Sequence, residues 1–389
     1  MRLAVVETAR LGGLLHYAVQ LGEALARRGH DVDVIAPRDN ELVDRVEAAR
    51  MHAVLPPTIK SVEQPRARLA YLGRRAGVGM RLARSWLRIL GETRRGGYDA
   101  VIVNSDITHV PATVGAALLS RRNGMTVGDV CHNVRPFNTQ GGDIYAEHDW
   151  SLRLLARVYS HFDVVFVHGE NSRNEFTQTW PPANLAVIPH GDERIFADEP
   201  PPPSDEERVL FFGDLRKNKG LFVLKDAFDL LRARRPDARL TIAGTPAPAD
   251  LDIEPLVDWA GTHNSHVEVI DRYVPLDDVP AVFGRARVVA TPYLAGWQSG
   301  VIHLAMTMGR AVVTSDVGDL ATAVGDGDAG LVVPPGDPQA LADALERLLA
   351  DRELAERLGA EGRRRMTTGS SWDAVAEKVE AALQSLPRR

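Results

Sequence analysis

Residues 291–319 read TPYLAGWQSGVIHLAMTMGRAVVTSDVGD. Small polar residues lead into a short apolar helix, Gly309 ends it, and Val312-Val313 begins a short buried strand. Gln298, Ser299, Gly300 and Val301 fall at the expected helix start, where backbone N–H groups lack intrahelical partners. The helix dipole adds partial positive charge there, so an anion can dock. Ser299 is also a natural N-cap, a role compatible with anion binding. Upstream, residues 209–220 read VLFFGDLRKNKG, an apolar strand opening at Gly213 into a basic loop. Arg216 offers a planar fork and Lys219 a point charge, two ways of holding phosphate; ordinary solvated loop cations are the alternative. Two strand ends, one cationic and one leading to a helix N-terminus, fit a diphosphate held between them.

The same strand-then-helix unit recurs on both sides of these segments. Strands are expected at residues 3–6, 31–36, 100–103, 126–130, 164–167 and 185–188. A second series comes at 209–212, 240–243, 267–270, 288–291, 311–314 and 330–333. Residues 14–28 carry Leu14, Ala18, Leu21 and Leu25 on one helical stripe closed by Gly29. Such alternation implies parallel sheets covered by helices on both faces, with ligands at the carboxyl ends of the strands. Between the two series, ADEPPPPSDEER at 197–208 is a stiff, extended segment near a boundary. The expected organisation is two Rossmann-like, doubly wound α/β domains facing a central cleft. They span residues 1–196 and 197–371, and an amphipathic C-terminal helix over about 372–389 crosses back onto the first.

Composition agrees with an ordinary two-domain enzyme. The chain has 389 residues, 44% hydrophobic and 25% charged. A net charge of −6 argues against a nucleic-acid partner. One cysteine, Cys131, excludes an intrachain disulfide framework and a cysteine-rich metal site. No uninterrupted apolar run of about 18 residues occurs, and the N-terminus reads as a first strand, so a cytoplasmic protein is expected. Five lysines against 41 arginines reflect codon usage.

The ordered motifs resemble the retaining GT-B glycosyltransferases of glycosyltransferase family four. They run from Gly12-Gly13 through Cys131-His132-Asn133-Val134, Val167-His168 and Ile188-Pro189-His190-Gly191. Gly213-Asp214-Leu215-Arg216-Lys217-Asn218-Lys219-Gly220, Ala243-Gly244, Gln298-Ser299-Gly300 and the stretch from Gly330 to Gly336 complete the series over nearly the whole chain. The resemblance implies a GT-B fold, a nucleotide-diphosphate sugar held mainly by the second domain and an acceptor held mainly by the first. It implies no metal or other cofactor, and no His/Asp/Glu cluster has catalytic-metal spacing.

One departure is specific. Many members carry two glutamates eight positions apart, one near the donor sugar and one holding the ribose. Those positions fall here at Gly296 and Leu304. The chain resembles instead the subgroup with Gln-Ser-Gly in that loop, where Gln298 takes part of the first role. His303 adjoins the second position but diverges from it by about 100° around the helix, which makes it a poor surrogate.

The resemblance turns His132, on its own a structural strand-end histidine, toward the donor sugar. Gly13 becomes a point of close backbone approach to the distal phosphate rather than a turn former alone, and Gly12-Gly13 does not fit G-x-G-x-x-G. Cys131 reads as packing, and His168 and His190 as partners of loop backbone, with contact to the donor the alternative. Tyr273 or its backbone flanks the nucleobase, with core packing the alternative. Nine arginines against one glutamate lie between Arg66 and Arg95, interleaved with Leu69, Leu72, Leu82, Trp86, Leu87 and Leu90. They form either a solvated helix pair or an acceptor-side surface for anionic lipid or a phosphate-bearing acceptor.

The expected reaction moves a sugar from a UDP- or GDP-sugar to an acceptor hydroxyl with retention, in glycan, glycolipid or glycoside biosynthesis. Arg216, Lys219 and the amides at Ser299, Gly300 and Val301 stabilise the leaving diphosphate. The rivals are a non-catalytic GT-B subunit that binds nucleotide sugar or a partner, and a nucleotide-sugar epimerase. The expected address is the cytoplasm, with peripheral contact at the inner membrane face through residues 66–95.

Overall fold

A computed structural model describes residues 1–57, 68–122, 124–135, 149–181, 183–247 and 250–386; side chains at 68–76, 149, 151 and 264 are not described. The described chain divides into two compact units. The first takes the N-terminal residues to Pro189 and, from Trp372 on, the C-terminal segment; the second runs from His190 to Ser371. The division thus falls between Pro189 and His190, a few residues ahead of the expected boundary after residue 196. Arg310 Nη2 donates to the carbonyls of Pro201 and Pro202 at 2.8 and 2.6 Å, which fastens the proline run to the second unit.

The first unit contains β1 (Arg2–Val6), α1 (Gly13–Arg27), β2 (Asp31–Pro37), β3 (Arg50–Leu55), α2 (Arg68–Gly96), β4 (Ala100–Val103) and α3 (Val110–Ser120). It continues with β5 (Thr126–Val130), α4 (Asp149–Tyr159), β6 (Val164–Val167), α5 (Glu170–Thr179) and β7 (Leu185–Val187). Its sheet runs β3-β2-β1-β4-β5-β6-β7 with every pairing parallel. Leu3, Ala4, Val5 and Val6 are fully buried, the continuous apolar run expected of a strand covered on both faces.

The second unit contains β8 (Arg208–Phe212), α6 (Leu221–Arg234), β9 (Arg239–Ala243), α7 (Glu254–Thr262), β10 (Val267–Ile270), α8 (Val279–Gly284) and β11 (Val288–Thr291). Then come α9 (Gly300–Thr307), β12 (Ala311–Ser315), α10 (Leu320–Ala323), β13 (Gly330–Val333), α11 (Pro338–Ala350) and α12 (Arg352–Thr368). Its sheet runs β10-β9-β8-β11-β12-β13, again parallel. Local chemistry sets the helix ends. Asp337 accepts from the amides of Gln339 and Ala340 ahead of Pro338, and Asp351 accepts from that of Leu354. The last helix, α13 (Trp372–Ser385), packs on α1: Trp372 meets Tyr17 edge-on at 4.9 Å and Arg28 pairs with Glu380 at 2.7 Å. Residues 387–389 lie outside the described residues.

In both sheets the order reverses beside the first strand, between β1 and β4 and between β8 and β11. The carboxyl ends of those pairs are the crevices where such sheets hold ligands.

Three expectations are corrected. β3 lies on the sheet edge where no strand was expected, because partly exposed Arg50, Met51, His52 and Ala53 break the apolar pattern. The arginine-rich stretch is one helix, α2, rather than a pair: Ser85, Trp86, Ile89 and Thr93 form its buried face while Leu87 is 68% exposed. Arg66 lies outside the described residues. The turn before α1 rests on Gly12, at φ 83°, and not on Gly13, which is already the first helical residue.

Candidate functional site

At the second unit's switch point, β8 ends in Phe212 and Gly213 turns at φ 115°. A Cβ on Gly213 would stand 3.2 Å from Val301 Cγ2, so the strand exit lies directly against the first turn of α9. A short 3₁₀ turn, Lys217–Lys219, comes next and is clamped to the loop after β11. The Asn218 carbonyl accepts from the Leu294 amide at 2.8 Å, and its side-chain amide donates to the Ala295 carbonyl at 3.1 Å. Gly220 closes the turn at φ 68°, where a Cβ would lie 1.9 Å from the Pro292 carbonyl oxygen. Only glycine permits that backbone approach.

The clamp sets Lys219 over the same loop. Its Nζ lies 3.7 Å from the centre of the Tyr293 ring, a cation–π contact. Tyr293 is buried, and its hydroxyl lies 3.1 Å from Ser299 Oγ. Ser299 occupies the N-cap position, but its side chain makes no capping bond, since the hydroxyl is turned to Tyr293. This corrects the expectation of a side-chain cap. The amides that open α9 therefore get no side-chain acceptor from Ser299. Glu193 carries a buried carboxylate alongside, with Oε1 3.6 Å from where a Gly300 Cβ would lie.

Arg216 pairs with Asp214 at 3.4 Å, both side chains about two-fifths exposed. Such an exposed pair contributes roughly 0–1 kcal/mol, so an incoming phosphate can displace the carboxylate. His303 Nδ1–H donates to the Ser299 carbonyl at 2.9 Å, and His190 stacks on its ring at 4.3 Å. Burial pushes the His303 pKa down to about 4, which keeps the ring neutral. Leu304, at one lost glutamate position, is buried in the core of the second unit. Gln298 is partly buried just ahead of Ser299, and Tyr273 lies on the loop after β10, the sheet edge.

The first unit gathers different chemistry at its own switch point. Glu7 comes directly after β1, Asn104 after β4 and His168 after β6, while His132 stands two residues after β5. Asn104 Nδ2 donates to Glu7 Oε2 at 2.6 Å and to the Leu14 carbonyl at 2.8 Å, and its Oδ1 lies 2.9 Å from His132 Nε2. His168 Nε2 lies 3.4 Å from His132 Nδ1. Tyr17 meets both imidazoles edge-on, at 4.8 and 5.3 Å. Burial drives the Glu7 carboxyl up to about 7 against the hydrogen bonds from Ala9, Asn104 and Thr8, and drives His132 down to about 4. His168 thus meets the His132 side chain, and His190 stacks on the His303 ring. Cys131 is buried packing, with Sγ 3.4 Å from the Asn133 carbonyl and 3.6 Å from the Tyr159 hydroxyl. Gly13 is exposed at the start of α1, with nothing within 4 Å of where a Cβ would lie.

Sequence reasoning passes over Glu7, Asn104, Asn218 and Tyr293. The first two carry one readable signal: each comes immediately after a strand flanking the reversal in strand order.

The geometry defines two α/β units with ligand crevices at their switch points, and comparison with known proteins gives the class. Residues 11–191 match the family described as Glycosyltransferase Family 4, and residues 206–351 match Glycosyl transferases group 1. Each match covers less than half of the chain, one within each unit, and both models describe glycosyl transferases. It is 33% identical over 154 residues to an alpha-D-kanosaminyltransferase of Streptomyces kanamyceticus, a match covering 40% of this chain and 39% of that protein. It therefore spans about two-fifths of that relative's length. It is 26% identical over 359 residues to a phosphatidyl-myo-inositol mannosyltransferase of Mycolicibacterium smegmatis, covering 88% and 82% of the two chains. The structure of HepE from Anabaena, in complex with UDP and glucose, shares the fold with a TM-score of 0.73. Sequence identity there is 18%, over 99% of this chain and 100% of that one.

Proposed function

We propose that the protein is a retaining, metal-independent glycosyltransferase that moves a sugar from a UDP- or GDP-sugar to an acceptor hydroxyl. The observation that carries the reading is the Lys219–Tyr293–Ser299 chain, which sets an ammonium beside the opening turn of α9 at the β8/β11 switch point. As the glycosidic C–O bond breaks, negative charge grows on the diphosphate. Lys219, Arg216 and the amides of Gly300 and Val301 supply fixed positive potential for it. The incoming hydroxyl attacks from the leaving-group side and its proton passes to the departing phosphate, so no protein nucleophile is required. That route suits a chain with Gly296 and Leu304 in place of the two acids. Within the second unit, Gly213 and Gln298 line the donor's place and Tyr273 flanks the base. Turnover of a panel of UDP- and GDP-sugars with hydroxyl acceptors, in the presence of EDTA, tests this. Anomeric proton couplings of the product report retention.

Leu304 in the core supports a second reading, a non-catalytic subunit that binds nucleotide sugar. Tight diphosphate binding without turnover on any acceptor would favour it.

The acceptor is proposed to be lipid-linked or anionic and met at a membrane surface. On α3, Val110, Val114 and Leu118 are 41%, 44% and 51% exposed at successive turns. The neighbouring α2 exposes Met80 and Leu87 together with Arg84, Arg88, Arg94 and Arg95. An apolar stripe flanked by arginines matches an anionic bilayer surface. Among the described residues no helix is long and apolar enough to cross a membrane. Co-sedimentation with vesicles containing anionic lipid, but not with neutral ones, is the expected result.

A further inference from the structure

The hydrogen-bond chain in the first unit has a fixed direction. Asn104 Nδ2 faces the Leu14 carbonyl at 2.8 Å, which only accepts, and a Glu7 carboxyl oxygen at 2.6 Å. The amide must therefore present both N–H groups to them, which leaves Oδ1 toward His132. An amide oxygen only accepts, so His132 Nε2 must carry the proton across the 2.9 Å contact. Nδ1 is then the lone-pair nitrogen, and its contact with His168 Nε2 at 3.4 Å is long. Tyr17, edge-on at 4.8 Å, holds the ring plane.

Glu7 itself is locked. Its Oε1 accepts from the Ala9 amide at 2.6 Å and lies 3.3 Å from Ser105 Oγ, which accepts from the Thr8 amide at 2.8 Å. A carboxyl group 1% exposed and held from several sides cannot swing away from Asn104. With glutamine at position 7 the Ala9 amide holds the side-chain oxygen, so its NH2 faces Asn104 and opposes the N–H that the Leu14 carbonyl demands there; the amide can then flip, offer N–H to His132 and reverse its tautomer.

We propose that Glu7 is a positioning residue which, through the Asn104 amide, fixes His132 as the Nε2–H tautomer with Nδ1 as the accepting edge. The inference rests on the glycosyltransferase reading only for what His132 then does; the tautomer itself does not depend on it.

The test is nitrogen NMR of ¹⁵N-histidine-labelled full chain at neutral pH, alongside steady-state transfer, for wild type, Glu7→Gln and Asn104→Leu. Glu7→Gln is nearly isosteric and retains the fold, which its melting curve checks. Expected are a single Nε2–H tautomer at His132 in the wild type and mixed tautomers in both variants. kcat falls at least about tenfold in the variants with donor KM unchanged, since a wrong tautomer costs up to about 10⁴-fold where an imidazole takes part in chemistry. An unchanged tautomer in both variants would overturn the proposal, whereas mixed tautomers with unaltered kcat would uphold the role of Glu7 and count against a part for His132 in the transfer. Full turnover by His132→Ala would instead remove His132 from the reaction, while the NMR result would still decide whether Glu7 orients it.

Discussion

Lys219→Met isolates the ammonium from the rest of the proposed donor site. Methionine keeps the unbranched stem and can lay its thioether on the Tyr293 ring, so packing changes little. The lost cation–π contact, with Nζ 3.7 Å from the ring centre, is worth about 0.5–1 kcal/mol. For a protein of this size the melting temperature should fall by no more than about 2–4 °C. A diphosphate loses one charge-assisted contact, about 1.5–3 kcal/mol, or roughly 10- to 150-fold in Kd. Isothermal titration with UDP and GDP, using whichever raises the wild-type melting temperature, reads that loss. The parent nucleoside serves as the comparison because it has no phosphate to lose. The reasoning fails if the diphosphate binds the variant within twofold of wild type. It also fails if nucleoside and diphosphate weaken alike, because Lys219 would then act through loop structure alone.

Gly220→Ala should lower stability by roughly 2–4 kcal/mol, from a left-handed backbone plus a Cβ driven against Pro292, and should abolish diphosphate binding. Urea unfolding and titration read the two effects. Gly115→Ala places a Cβ 2.4 Å from the Trp86 ring and should cost about 1–3 kcal/mol while leaving diphosphate affinity intact. Glu7 has a folded-state pKa of about 7 against an ordinary 4.5, so the native state holds its proton more tightly and loses stability as pH rises through that window. Glu7→Gln lacks this titration. Its stability relative to wild type should improve by roughly 3 kcal/mol between pH 4.5 and 7.5, and a pH-independent difference in urea midpoints would refute the assignment.

Strand positions are legible in the sequence wherever both faces of a strand are buried. Residues 100–103, 126–130, 164–167 and 288–291 coincide with strand ends in the structure. There the apolar run and the turn residues carry the same information. β3 is not legible, because an edge strand buries little and Arg50 and His52 interrupt its pattern. α2 reads as two helices because its propensity is poor, with Gly73, Gly77, Gly79 and Gly91 inside it; packing of Trp86 against Gly115 of α3 overrides that weakness. At the candidate site, the basic loop and the start of α9 are visible as motifs. Their joining through Asn218 and Tyr293 is not, since it depends on two loops far apart in sequence. The Glu7–Asn104–His132 chain links positions 97 and 28 residues apart, which no local periodicity records.

The two units share a strand order but do not share a chemistry, and the difference lies in the residues at which the chain leaves each strand of the switch point. After β8 the chain places Gly213 and then a cationic turn, with Pro292 and Tyr293 after β11: bare backbone, amides and ammonium, surroundings suited to phosphate. After β1 and β4 it places Glu7 and Asn104, a carboxyl and an amide tied to imidazoles. Those groups are paired hydrogen-bond donors and acceptors with no lysine or arginine among them, surroundings of a different kind. Neighbouring Ser105 and Thr8 extend the same neutral, hydrogen-bonding character. A difference in what the two crevices present thus needs no difference in fold. A handful of strand-exit residues suffices, and exchanging them, rather than reshaping the sheets, is the route by which such a scaffold would change what it binds.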